Sequence, residues 1–190
     1  MFQNPTTKIF SNVHEKGFTL LETLLAITVL VIALGGPLSI AQQGLSAAFV
    51  SRDQVTAYFL AQEALEYVRK IRDSNGIVSI NVASTDWLVG MSSCVSGVCR
   101  IDPLRDQYTT ACGVTCPRLK YDTTNHTYNY NAPSQTNVET NFTREVRIRQ
   151  VANPECSNCE VIVSITVFWQ TRKISKTMTI TDHLFNWQQQ

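Results

Sequence analysis

The chain has 190 residues and a net charge of +1, from 16 Lys and Arg against 15 Asp and Glu. Such near neutrality weighs against a nucleic-acid partner, which calls for a concentrated positive field. No phosphate-cradling loop, Gly-x-Ser-x-Gly elbow or His-Glu-x-x-His helix is present, and the three isolated histidines supply no catalytic set, so an enzyme is not expected and no cofactor is implied.

The N-terminal region carries the strongest pattern. Lys8 and Lys16, opposed only by Glu15, precede a run from Thr23 to Ala41 without a charged residue. At 1.5 Å per helical residue, about 19 residues cover roughly 28 Å, close to the hydrocarbon thickness of a bilayer. A basic flank tends to stay cytoplasmic, which puts the N-terminus inside and everything beyond Ala41 outside. A single carboxylate, Glu22, stands at the entrance of this span, and a lone charge there demands a partner. Three ordinary readings compete. A secretory signal peptide finds a small-x-small site in Ser39-Ile40-Ala41, but the apolar run is longer than a signal core and Glu22 sits inside it. A lipoprotein signal lacks its cysteine, since the first of the six cysteines is Cys94. A single-span anchor carrying a binding or metal-binding module leaves Gly17 and Glu22 without a role.

The stretch Gly17-Phe18-Thr19-Leu20-Leu21-Glu22 resembles the processing site of type IV pilins and pseudopilins: Gly before the cut, Phe as first mature residue, Glu as the fifth. The resemblance covers the first third of the chain. It implies that a prepilin peptidase of the membrane cuts between Gly17 and Phe18 and N-methylates Phe18, so that residues 1–17 form a cytoplasmic leader. It also implies that the new amine of one subunit meets Glu22 of another, which makes Glu22 an assembly residue. The implied partners are other pilin or pseudopilin subunits and an inner-membrane assembly platform. The plainer reading of Glu22 is a carboxylate lying near the headgroups.

Gly35-Gly36-Pro37 punctuates the span. Pro37 lacks an amide hydrogen and clashes with the carbonyl of Ala33, and two glycines weaken the same turn, so a helix break is expected, as a kink or a locally unwound stretch. Beyond the span the helical period continues. Ala57, Leu60, Ala61, Ala64, Val68 and Ile71 fall on one face, with Arg52, Asp53, Glu63, Glu66, Arg69 and Arg72 largely off it. Packing against a sheet suits that stripe, with a coiled coil as the rival. The Ala57–Arg72 segment also resembles the post-membrane helix of certain minor pilins and pseudopilins. Asp73-Ser74-Asn75-Gly76 supplies residues that end a helix. The result is one helix over residues 18–73, transmembrane at about 20–41 and amphipathic over 42–73.

Residues 74–190 change character, with Thr, Ser, Asn and Val in short alternating runs, and form one β-rich head. Phe142, Arg144, Val146 and Ile148 share one side of a strand; Glu145, Arg147 and Arg149 share the other. Val161 to Trp169 alternates again, Ile174, Met178 and Ile180 form a following apolar face, and Thr171 to Lys173 turns the pair into a hairpin. Tyr121 to Tyr130 reads as an earlier hairpin. The cysteines come as Cys94-x4-Cys99, Cys112-x3-Cys116 and Cys156-x2-Cys159 on the exported side, where disulfides form. The three sequence-local pairs are preferred, cross-linking of the first two pairs is the runner-up, and zinc held by thiolates is the rival chemistry. No metal ligands are assigned. Cys156-Ser157-Asn158-Cys159 precedes a strand, unlike a redox motif that opens a helix. His126 and His183 read as loop and surface residues, and Arg144, Arg147 and Arg149, interleaved with Glu145, as a solvated face that does not contact nucleic acid.

The expected fold class is α+β, a long N-terminal helix on an antiparallel β-sheet head, similar to pilins. The function this implies is a non-enzymatic structural subunit of a type IV pilus-like filament at the bacterial cell surface, held in the cytoplasmic membrane before assembly. A minor pseudopilin of a type II secretion or DNA-uptake system is the alternative of the same class.

Overall fold

The computed structural model of the chain describes residues 17–81, 86–105, 109–152, 154, 156, 158–172 and 174–187. Of the expected leader, residues 1–17, only Gly17 falls among them. The chain divides into two compact units, Met1–Ala47 and Ala48–Gln190.

Helix α1 runs Leu20–Asn81, 62 residues. In the first unit it is apolar on every side: its most apolar 18-residue window has a mean hydropathy of 2.4 and none of it is buried. A helix uniformly hydrophobic and uniformly exposed needs an apolar surrounding, and this one is long and apolar enough to cross a membrane. It remains α-helical through Gly35, Gly36 and Pro37, so the expected unwound stretch is not formed. Proline removes a single rung of the backbone ladder, and the rungs on either side keep the turn closed. The helix also passes the expected stop at Asp73-Ser74-Asn75-Gly76 and ends eight residues after Asp73, at Asn81. The reason is tertiary. Asn75 is buried, and its side-chain amide donates to the carbonyls of Trp87 (3.0 Å) and Val89 (2.8 Å), so a residue suited to a turn is held inside the helix.

In the second unit α1 is amphipathic, and its buried hydrophobic residues Ala57, Leu60, Ala61, Ala64, Val68 and Ile71 are the sequence stripe, joined by Tyr67. They form one core with the sheet and with Trp87, Leu88 and Met91. After α1 come α2 (Ser92–Val95), β1 (Cys99–Arg100), β2 (Thr110–Ala111), β3 (Arg118–Asp122), β4 (Thr127–Asn129), β5 (Asn137–Gln150), β6 (Glu160–Thr171) and β7 (Ile174–Phe185). All pairings are antiparallel. Thr143 pairs with both Arg118 and Phe168, and Val146 with both Cys99 and Ile165, so β3 and β1 follow one another along the edge of β5 opposite β6.

Both hairpins are present. β3 and β4 close at Asp122↔Thr127 and β6 and β7 at Thr171↔Ile174, with His126 (φ 56°) and Arg172 (φ 58°) taking the left-handed conformation the turns require. On β6 every second residue from Val161 to Trp169 is buried. On β7 the alternation is weaker: Ile174 is exposed and Met178 and Ile180 are only partly buried. β7 pairs with β6 alone among the described residues, so it is an edge strand.

Three disulfides link Cys94 to Cys99, Cys112 to Cys116 and Cys156 to Cys159. Cross-linking of the first two pairs is not formed, and no thiolate is left for zinc. The last bridge presents Asn158, whose carbonyl accepts from Trp87 Nε1 (2.8 Å) and whose side chain bonds Asp86 (3.2 Å) and Gln150 (3.2 Å). It thereby joins the segment after α1 to the sheet.

Arg144 departs most from expectation. It is fully buried, not solvated, and so stands apart from Arg147 and Arg149. Its Nη1 donates to the carbonyl of Leu60 (2.8 Å) and to Glu63 Oε2 (2.6 Å), and its Nη2 to the carbonyl of Ile101 (2.7 Å). Asp53, also read as off the apolar stripe, is buried and accepts from the Thr171 hydroxyl (2.8 Å). Arg69 bonds Asp182 on β7 (2.7 Å), which holds its guanidinium above the ordinary arginine range.

Glu63→Leu is expected to cost about 3 kcal/mol in chemical denaturation, because it strands a buried guanidinium, while Glu63→Leu combined with Arg144→Met recovers most of that loss. A double variant less stable than Glu63→Leu alone contradicts the account. In the β3–β4 turn, the Asn125 side chain and then the amides of Thr124 and Asn125 hold the Asp122 carboxyl below the usual carboxylate range. Its contribution is present above the unfolded value of about 3.9 and disappears as pH falls through the depressed folded one. The stability gap between wild type and Asp122→Ala should hold constant from about pH 7 to 5 and close in more acid solution.

Candidate processing and assembly site

Gly17, Phe18 and Thr19 are not helical and are exposed, with Phe18 at 79%. The helix begins one residue later because Thr19 caps it. The backbone N–H of Glu22 donates to Thr19 Oγ1 (3.2 Å) and to the Thr19 carbonyl (3.1 Å), and the N–H of Thr23 reaches the same carbonyl (3.1 Å). Thr19-Leu20-Leu21-Glu22 is thus the Thr-x-x-Glu capping pattern, which satisfies amide donors that a helix start leaves open. In a bilayer those donors have no water to turn to. Next, Thr23 and Thr28 return their hydroxyls to the carbonyls of Leu20 (2.9 Å) and Leu25 (2.8 Å), hiding polar atoms inside the helix. Thr19 is the site residue that sequence reasoning passed over, although its spacing to Glu22 was there to be read.

Glu22 lies in the first turn of α1, where the positive end of the helix dipole favours an anion. Among the described residues its carboxylate has no side-chain partner. The dipole accounts for the position of the charge and leaves its hydrogen-bonding capacity unspent. An amine freed at Phe18 would suit it, whether on the same chain or on a neighbour.

The glycines behave alike. Among the described residues, a Cβ placed on Gly17, Gly35, Gly36 or Gly44 would meet no atom within 4 Å beyond its chain neighbours and its own helix backbone. None of them is glycine to make room inside the fold, so any steric demand comes from another molecule. Gly35, Gly36 and Pro37 belong to the same exposed helix, and among the described residues no contact draws them to Gly17 or Glu22.

No group of three or more His, Cys, Asp or Glu that could hold a metal occurs among the described residues. His126 bonds the Tyr121 hydroxyl (2.9 Å) at the β3–β4 turn, and His183 bonds Glu160 on the sheet surface.

A family model described as the prokaryotic N-terminal methylation motif matches residues 13–36, an interval that holds Gly17, Phe18, Glu22, Gly35 and Gly36. No curated protein and no solved structure matches the chain.

Gly17→Ala is expected to leave helix content and the unfolding midpoint of the head unchanged, within about 0.5 kcal/mol. Circular dichroism and denaturant titration check this, and a larger loss would put the demand for glycine inside the fold.

Proposed function

From the prepilin-type motif of type IV pilins and pseudopilins that this chain carries, we propose that it is a structural subunit of a type IV pilus-like filament. A prepilin peptidase cuts between Gly17 and Phe18 and methylates the new N-terminus. The subunit waits in the cytoplasmic membrane with the basic leader inside and the disulfide-bonded head outside, then joins other subunits through α1. It performs no catalysis. One observation carries this reading: an exposed, non-helical Gly17-Phe18 bond directly before a capped helix whose first turn holds an unpartnered carboxylate. A peptidase needs an extended segment to grip, and the cut it makes creates the cation that Glu22 lacks. A carboxylate held in lipid is costly until paired, so pairing of the Phe18 amine of one subunit with Glu22 of the next favours one register among subunits.

Mass spectrometry of the protein purified from a peptidase-bearing host should find an N-methylated Phe18 terminus. Glu22→Ala should insert and be cut normally, yet enter filaments at a small fraction of the wild-type level in a shear assay. An intact leader in the presence of active peptidase, or full incorporation of the Glu22→Ala chain, counts against the proposal.

A further inference from the structure

The second unit contains an open groove of about 780 Å³ between the α1 turns from Arg52 to Glu63 and the β3–β4 hairpin with the start of β5. Its volume falls in the range of small-molecule sites, about 300–1,000 Å³. We infer that this groove binds an uncharged oligosaccharide.

The first argument is charge. The groove's ionised groups come in pairs: Arg52 lies 3.3 Å from Asp53, and Glu63 lies 2.6 Å from Arg144 behind the wall. Each pair cancels, which removes the net field that would select an ionic ligand. The second is the aromatic wall. Tyr121 and Tyr128, with ring centroids 5.1 Å apart, line the groove and are backed by the buried Phe142, 6.3 Å from Tyr128, and Phe59, 62% exposed on α1, lines the same space. Ring faces carry negative potential and attract weakly positive C–H groups, which the flat face of a pyranose presents in a row.

The third argument is what remains to bond hydroxyls. Glu63 uses Oε2 on Arg144, and Asn141 uses its Nδ2 on the carbonyl of Gln170 (2.6 Å). Glu63 Oε1 and Asn141 Oδ1 are left as acceptors, and the Arg52 guanidinium, 71% exposed, as a donor. Planar acceptors and a forked donor beside aromatic faces suit vicinal hydroxyls, each of which both donates and accepts. An apolar helix or a lipid chain would leave these groups unsatisfied.

The groove lies wholly in the second unit, so its test does not depend on cleavage after Gly17 or on Glu22. The full chain, solubilised in a detergent without a sugar headgroup, is applied to immobilised neutral hexose and N-acetylhexosamine oligosaccharides beside their sialylated and sulfated counterparts. Binding to at least one neutral oligosaccharide is expected, about tenfold weaker for Tyr121→Ala and retained in Tyr121→Phe, which keeps the ring. Thermal unfolding verifies that Tyr121→Ala is folded, and Asn141→Ala serves as the second variant with the same expected loss. Binding of none of the neutral probes, binding only of the charged ones, or wild-type binding by both Tyr121→Ala and Asn141→Ala overturns the inference.

Discussion

A guanidinium removed from water must find acceptors for its fork of donors, and the second unit is arranged around that demand at Arg144. The acceptors come from different parts of the chain: the carbonyl of Leu60 and the carboxylate of Glu63 on α1, and the carbonyl of Ile101 beyond β1. The apolar stripe of α1 is rich in alanine, and contacts of that kind are non-directional, so they would tolerate the helix sliding or turning over the sheet. Arg144 does not tolerate it. A shift of one turn would strand the cation, so the guanidinium sets which residues of α1 face β5. Tyr130, whose phenol is pushed up first by burial with Arg144 opposing, completes the low-polarity surround in which these bonds are strong.

The periodic parts of the fold were legible and the exceptions were not. Val161 to Trp169 alternates without interruption and is buried residue by residue as the pattern requires. Both hairpin turns lie where polar residues interrupt apolar runs. β1 and β2, at two residues each, are too short to have a period. The errors share a cause, which is a polar side chain that finds a partner remote in sequence. Asn75 looked like a helix stop and is anchored to Trp87 and Val89; Asp53 read as off the apolar stripe and is met by Thr171 across a separation of 118 residues; Arg144 looked solvated and is the hub of the core. Local propensity cannot register such partners. At the candidate site the converse holds. Gly17, Phe18 and Glu22 fall in one contiguous pattern that the sequence displays directly, within the matched motif, whereas the cap at Thr19 was not read from it.

The two units answer different solvents. In the first, residues from Leu20 onward expose leucine, isoleucine and valine in every direction, and the threonines fold their hydroxyls back onto backbone carbonyls. In the second, polar atoms are spent on long-range contacts that fix one arrangement of helix and sheet. The same α1 obeys both regimes, apolar throughout at its start and striped toward its end.

The disulfides bear on how such a head matures. Their partners stand only 5, 4 and 3 residues apart, with Gly113 (φ 70°) in the left-handed conformation inside the middle loop. Each closes a small ring whose entropic stabilisation is about 2 kcal/mol in the chain-entropy model, and none tethers remote elements. Any two cysteines that emerge together are already the correct pair. Oxidation can therefore proceed in chain order without waiting for the sheet, and a scrambled head would require a thiol to bypass its nearest neighbour.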